Sequence, residues 1–148
     1  KKRVHINNKI CTAWRVSIKD RKICEDLKRL NCTNNKSFDV RLPIIDDEYY
    51  SDLIRGIFDG DGSVSSNKNI VFCSANKDFL QDIINILNKN NIKTGKITQS
   101  RKLYNVRIST KNNNLNRFFN FMYKESDESN RLNRKYEKFK NLLKRGDR

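Results

Sequence analysis

Hydrophobic positions along the chain follow two periods, and the switches between them predict the elements. Apolar–polar alternation marks "KRVHINNKICTAWRVSI" as a hairpin turning at Asn7-Asn8, and "GSVSSNKNIVFCSA" as a second hairpin turning near Asn67-Lys68. Spacings of three and four mark helices through Ile23, Leu27 and Leu30, and through Leu80, Ile84 and Leu87. Two further helices run through Leu115, Phe118, Phe119 and Met122, and through Leu132, Tyr136, Phe139, Leu142 and Leu143. A fifth follows Pro43, with Asp46 and Asp47 suited to its N-terminus, Glu48 in its first turn, and Tyr50, Leu53, Ile54, Ile57 and Phe58 on its buried face. These stripes are expected to pack against sheet, and Trp14 to fill the core beneath the first hairpin.

The pattern repeats. "RVSIKDRKICEDLKRLN" (15–31) aligns without a gap on "FCSANKDFLQDIINILN" (72–88), at the offset of 57 between Ser17 and Ser74. "KSFDVRL" (36–42) resembles "KLYNVRI" (102–108) at the offset of 66 between Phe38 and Tyr104, which leaves room for an extra strand, "KTGKITQS" (93–100), in the second copy. The chain reads as a duplicated unit of hairpin, helix, strand or hairpin, and helix.

The helix after Pro43 ends in "LIRGIFDGDGSV" (53–64), which places two costs at one spot. Glycine weakens a helix interior, and a carboxylate at a helix C-terminus meets the negative end of the macrodipole. Gly56 and Gly60, four apart, would let a second helix backbone approach closely, and Gly62 suits the residue just past the helix end. Asp61 is either a solvated turn aspartate or, with the adjacent carbonyls, a ligand of a hard cation such as Mg²⁺. An EF-hand loop is excluded: Val64 stands where the sharp-turn glycine belongs, and Ile70 where the bidentate glutamate belongs.

Charge narrows the choice of partner. The 148 residues carry 32 Lys and Arg against 17 Asp and Glu, a net +15, so a polyanion is the default ligand. One histidine, His5, and four cysteines without a C-x-x-C pair argue against a zinc site or a disulfide framework. Cys11, Cys24, Cys32 and Cys73 are expected to be reduced and mostly buried, in a cytosolic type of compartment. No membrane span or signal peptide is visible. With a single histidine, Ser or Cys hydrolase chemistry is disfavoured.

"IRGIFDGDG" (54–62) resembles the LAGLIDADG motif of homing endonucleases, in its glycine, its first acid, its small residue and its final Asp-Gly. "LIRGIFDGDG" is similar to the bacterial and phage branch in particular. The resemblance implies an α+β fold: an αββαββα unit with a saddle-shaped antiparallel sheet over residues 46–148, preceded by a partial copy, without its motif helix, over residues 1–45. It implies a metal-dependent, site-specific double-strand DNA endonuclease in the cytoplasm of a bacterial or phage-infected cell. A DNA- or RNA-binding maturase or regulator without cleavage is the alternative.

In that family two motif helices pack through their small residues, and the final acids hold divalent metals over the scissile phosphates. Carried onto this chain, the resemblance implies that Asp61 is the metal ligand, with the Gly60 carbonyl beside it, for Mg²⁺ or another divalent cation. Gly56 and Gly60 line the helix interface, and Asp59 takes a structural role. A basic residue near the metal is sought among Arg131, Arg134 and Lys135; Lys135 is favoured as catalytic, against the alternative of a solvated basic helix face. Asn76 is a lesser candidate, for positioning water. Double-stranded DNA would lie on the sheet, met by Ser65, Asn67, Lys68, Lys96, Thr98, Arg101, Lys102, Asn105 and Arg107, and by Arg15 and Arg41 from the partial unit. Only one motif is present. The repeat offset puts the other at "KKRVH", which is neither glycine-rich nor acidic, so truncation of an upstream helix is favoured. A second copy would then supply the second acid, through a homodimer.

Overall fold

The fold is described from a computed structural model of the chain, over residues 2–6, 9–13, 17–32, 39–65 and 67–144. Strands β1 (Lys2–Ile6) and β2 (Lys9–Ala13) form an antiparallel hairpin with Ile6 opposite Lys9, and helix α1 (Arg21–Arg29) follows. A 3-10 turn (Asp47–Tyr49) leads into α2 (Tyr50–Asp61). Then come β3 (Ser63–Val64), β4 (Ile70–Ser74), α3 (Lys77–Lys89), β5 (Thr98–Ser100), β6 (Leu103–Arg107), α4 (Asn114–Tyr123) and α5 (Asn133–Lys144). From α2 to α4 the order is αββαββα, with α5 appended.

The second sheet has the order β3-β4-β6-β5, all antiparallel. Residues opposite each other share a face, so its register sorts the side chains. Val64, Ile70, Phe72 and Val106 point to the buried face, beneath the helices. There Phe58 of α2 meets Phe72 and Phe118 edge-on, with ring centroids 5.3 and 5.5 Å away, and Phe139 of α5 closes the cluster. Ile54, Phe58, Leu80, Ile83, Leu87, Phe118 and Phe139 are fully buried, which ties α2, α3, α4 and α5 to one core. Edge-to-face rings at these distances contribute about 0.5–1.5 kcal/mol per pair beyond their buried area.

Local chemistry sets the boundaries. Asn76 caps α3 by accepting hydrogen bonds from the Asp78 and Phe79 amides at 2.8 and 3.2 Å. Asn91, at φ 57°, closes the other end, where the buried Ile92 donates its N–H to the Leu87 carbonyl. Asp20 and Asn31 frame α1 in the same manner, but α1 buries no residue: Ile23, Leu27 and Leu30 are exposed.

Several expectations need correction. Asp39–Leu42 form no strand, because their backbone is taken up by side chains: Asn76 Nδ2 donates to the Val40 carbonyl, and the Leu42 N–H donates to Asp82. In "KTGKITQS" only Thr98–Ser100 is strand; upstream, Thr94 bridges Ile108 and the Gly95 amide donates to the Arg107 carbonyl. Cys24 and Cys32 are exposed rather than buried, as follows from an α1 that buries nothing, and Cys73 is half-buried. The Asn7-Asn8 turn and the side chains of Cys11, Trp14 and Arg15 lie outside the described residues.

Candidate functional site

The motif helix has two faces. At about 100° per residue, Ile54, Arg55, Phe58 and Asp59 cluster on one side, and Leu53, Gly56, Ile57 and Gly60 on the other. The first side is fastened to the core. The second departs from the expected burial of Leu53 and Ile57, which are only half-covered, and it is open at the glycines: a Cβ placed on Gly56 or Gly60 would meet nothing within 4 Å. A cavity of about 540 Å³ opens there, lined by Leu53, Gly56, Ile57, Gly60 and Asp61, by β4, α3 and Leu103, and across from them by the end of α1 at residues 30–32 and by residues 40–43. Gly62 is glycine for a different reason. Its backbone is extended (φ −69°), and a Cβ would lie 2.7 Å from the Phe58 carbonyl and inside the Phe58 ring.

The two motif acids have opposite environments. Both oxygens of Asp59 are taken: Tyr123 Oη donates to one at 2.7 Å, and the Leu132 amide to the other at 2.8 Å. Burial, and then the bond to Asp59, pushes the Tyr123 phenol well above its usual range. Asp61, by contrast, is exposed, and among the described residues no side chain or amide hydrogen-bonds to its carboxylate. Its charge reaches Cys73 on β4, whose thiol is pushed up first by burial and then by Asp61.

Lys135 lies at the same helix end, only 7% exposed. Its Nζ donates to the carbonyls of Phe58 (2.6 Å), Gly62 (2.5 Å) and, at longer range, Gly60 (3.5 Å). Burial, and then the charge of Arg134, lowers its pKa, opposed by Asp59 and Asp61. Arg131 lies over the Tyr136 ring and donates to Asn133 and to the Ser126 carbonyl, and Arg134 is exposed. Asn76 is committed to capping α3.

Arg55 was not singled out by the sequence reading. It is 6% exposed, donates to the Asn130 and Met122 carbonyls at 3.1 Å each, and pairs with Asp52 at 2.6 Å. The available signal was an Arg and an Asp four apart on the same helical side as Phe58. Charges on a buried face require partners.

The open face of the sheet carries Ser63, Val71, Cys73, Thr98, Asn105 and Arg107, because Cys73 pairs Asn105, Asn105 pairs Thr98, and Val71 pairs both Ser63 and Arg107. Lys96 and Lys102 are exposed beside it. Arg101, at φ 55°, forms the β5–β6 turn, and Asn67 and Lys68 the β3–β4 turn, with the Ser65 amide bonded to Asn69. Asn105 also accepts a hydrogen bond from the Cys73 thiol. From residue 83 to 124 the chain has nine Lys and Arg and not one Asp or Glu. Both β5 and β6 fall within that stretch, so their own residues add no negative charge beside a phosphate backbone. Arg41 is placed elsewhere, forking onto Asp82 of α3 at 2.7 and 2.6 Å.

A divalent cation is tested here by donor chemistry. The Asp61 carboxylate and the Gly60 carbonyl are the hard oxygens that Mg²⁺ takes, whereas each Asp59 oxygen already accepts a hydrogen bond from the protein. Among the described residues no three His, Cys, Asp or Glu side chains gather to hold a metal. The residues fit such a cation as half of a ligand set.

An antiparallel sheet with Arg107, Lys96 and Lys102 at its open face, and a glycine-striped helix ending in an exposed acid, define an α+β unit. A family model described as a LAGLIDADG-like domain matches residues 48–122, from the 3-10 turn through α4. The chain belongs to this family, whose domains bind DNA, often dimerise and are generally nucleases. Lys135 lies beyond the matched residues. Comparison with curated proteins and with solved structures found no match. Among the described residues, no helix is long and apolar enough to cross a membrane.

Proposed function

We propose that this chain is a unit of a site-specific double-strand DNA endonuclease of the homing type, dependent on Mg²⁺ or another divalent cation and active as a pair of motif helices. The observation that carries this reading is the contrast between the two motif acids: Asp59 is fully engaged in structure, whereas Asp61 is exposed and unpartnered among the described residues. Binding alone has no use for a carboxylate beside a phosphate-binding face.

Asp61, with the Gly60 carbonyl, would hold the cation at the edge of the sheet. When bound, the cation supplies Lewis-acid charge to a phosphate and to the attacking water. The chain's own residues do the rest. Thr98, Asn105, Arg107, Ser65 and Lys96 meet the groove, while Asn67, Lys68, Arg101 and Lys102 at the turns hold phosphates and fix register. Arg41 is a poorer phosphate ligand, since Asp82 neutralises it. The bare Gly56–Gly60 stripe receives a second motif helix, from another copy or from a preceding unit, which brings the second acid. Residues 1–45 form the partial first repeat, a reading supported by the shared Asx cap and left-handed Asn closure of α1 and α3.

Asp61→Asn is the test. It should abolish cutting of DNA in Mg²⁺ while leaving affinity equal or tighter, because one negative charge near phosphate is gone. Cleavage at the wild-type rate by this variant would end the assignment. Binding without cleavage by the wild-type paired protein would favour the maturase or regulator reading, for which the presence of one motif in the sequence is the supporting observation.

A further inference from the structure

The C-terminus of α2 lacks the usual closure. A helix end leaves its last carbonyls without intrahelical partners, and a left-handed residue past the end normally lets backbone amides fold back onto them. Here Gly62 is extended, and a single backbone bond, Gly62 N–H to the Phe58 carbonyl at 2.9 Å, turns back. The remaining demand falls at the point where Asp61 adds a further negative charge. A buried ammonium from another helix meets it: all three carbonyls within reach of Lys135 Nζ belong to Phe58, Gly60 and Gly62, on both sides of Asp61.

The helix that carries Lys135 is itself aimed by α2. Asp59 accepts the Leu132 amide at the entry of α5, and Arg55 donates to the Asn130 carbonyl two residues earlier. The entry to α5 is thus tied to α2 at two points before Lys135 returns to the end of α2.

We propose that Lys135 is a positioning residue rather than a phosphate contact: its ammonium replaces the missing backbone closure and holds residues 60–62 so that the Asp61 carboxylate and the Gly60 carbonyl face outward together. The role assigned to the cation rests on the reading of Asp61 as its ligand; the closure of the helix does not. Two short bonds, to Phe58 and Gly62, and one long contact, to Gly60, direct the ammonium onto carbonyls of the α2 end rather than toward the sheet face. The bond to Gly60 is the longest, so that oxygen is the one most open to a cation.

Two measurements test this. In the wild-type protein, NMR couplings across the hydrogen bonds from Lys135 ¹⁵Nζ to the Phe58 and Gly62 carbonyl carbons should be present, and should persist when a mixed-sequence DNA duplex is added. Their replacement by a coupling to a phosphate ³¹P overturns the proposal. In Lys135→Met, the Gly62 amide should exchange faster with solvent, and Mn²⁺ affinity followed by electron paramagnetic resonance should fall by about tenfold or more, as for other supports of metal ligands. The salt dependence of DNA binding should keep its slope. Tighter Mn²⁺ binding would mean that the ammonium acts by repulsion alone, and a slope reduced by about one would mean that it contacts a phosphate; either overturns the proposal. If Lys135→Met does not fold, the wild-type couplings decide. Asp61→Asn run alongside separates the two layers. Unchanged Mn²⁺ binding in that variant removes the metal reading, while the couplings still judge the helix closure.

Discussion

Replacing Asp59 and Asp61 in turn by alanine should give opposite results, although the two residues stand two apart on one helix. Asp59 accepts the Tyr123 hydroxyl and the Leu132 amide, and so joins α2 to α4 and to the entry of α5. Hydrogen bonds to a charged group contribute about 1.5–3 kcal/mol each, and a buried donor left without an acceptor costs about 1–3 kcal/mol. Tyr123 is only 3% exposed, so its hydroxyl has little water to fall back on, whereas Asp59 is half-buried and the Leu132 amide can recover a water. The expected cost of Asp59→Ala is therefore about 2–4 kcal/mol, a fall in Tm of about 5–15 °C for a chain of this size. A double-mutant cycle with Tyr123→Phe should return a coupling of about 1–2 kcal/mol. Asp61→Ala should change stability by less than about 0.5 kcal/mol, as for an exposed residue with no hydrogen-bonded partner. Urea denaturation of the five proteins (wild type, Asp59→Ala, Tyr123→Phe, their double variant and Asp61→Ala), with slopes compared to exclude changes in the denatured state, measures all of this. Equal costs for the two acids, or a cost below about 0.5 kcal/mol for Asp59→Ala, would refute the division of labour between them.

The Tyr123 phenol has its pKa raised in the folded chain, so its contribution is fully present below the unfolded tyrosine value of about 10 and is lost as pH rises beyond it. Stability should therefore decline above about pH 10, and Tyr123→Phe should flatten that decline in a pH series of urea melts. Affinity for duplex DNA should fall linearly in a plot of log K against log salt, with a slope set by the number of phosphates neutralised; a slope near zero would exclude the basic face as a nucleic-acid surface. Gly60→Leu should abolish self-association in sedimentation at unchanged or higher monomer stability, since glycine costs an exposed helix about 1 kcal/mol; a dimer indifferent to leucine there would show that the stripe faces something else.

Much of the unit was legible because period and chemistry agree in it. Leu115, Phe118 and Met122, and Phe139 with Leu142, lie on the inner sides of α4 and α5 as their spacing demands. The alternation in "GSVSSNKNIVFCSA" yields β3, a turn at Asn67 and Lys68, and β4. The faces of β5 and β6 also follow, with Thr98, Asn105 and Arg107 on one side. What escaped were bonds between residues far apart in the chain and close in space. Nothing local to Arg55 announces the Asn130 carbonyl, 75 residues away, and nothing in "DVRL" announces that Asp82 takes both the Arg41 guanidinium and the Leu42 amide. The apolar period of Ile23, Leu27 and Leu30 gives the helix correctly, but periodicity measures a tendency to be covered, and these three side chains remain exposed, Leu30 at the rim of the cavity beside α2.

The main side-chain attachments of α2 to its own unit, through Arg55, Phe58 and Asp59, lie on the side opposite Gly56 and Gly60, and Lys135 holds its end. Selection can therefore act on the two sides separately. On the proposed function, changes along the glycine side would alter which helix is accepted as a mate, whether an identical copy or a diverged one, without moving Asp61 relative to the strands proposed to read the groove. Such a half would be exchangeable: two of unlike sequence preference could be joined, and the combined target would become asymmetric while each kept its own aim.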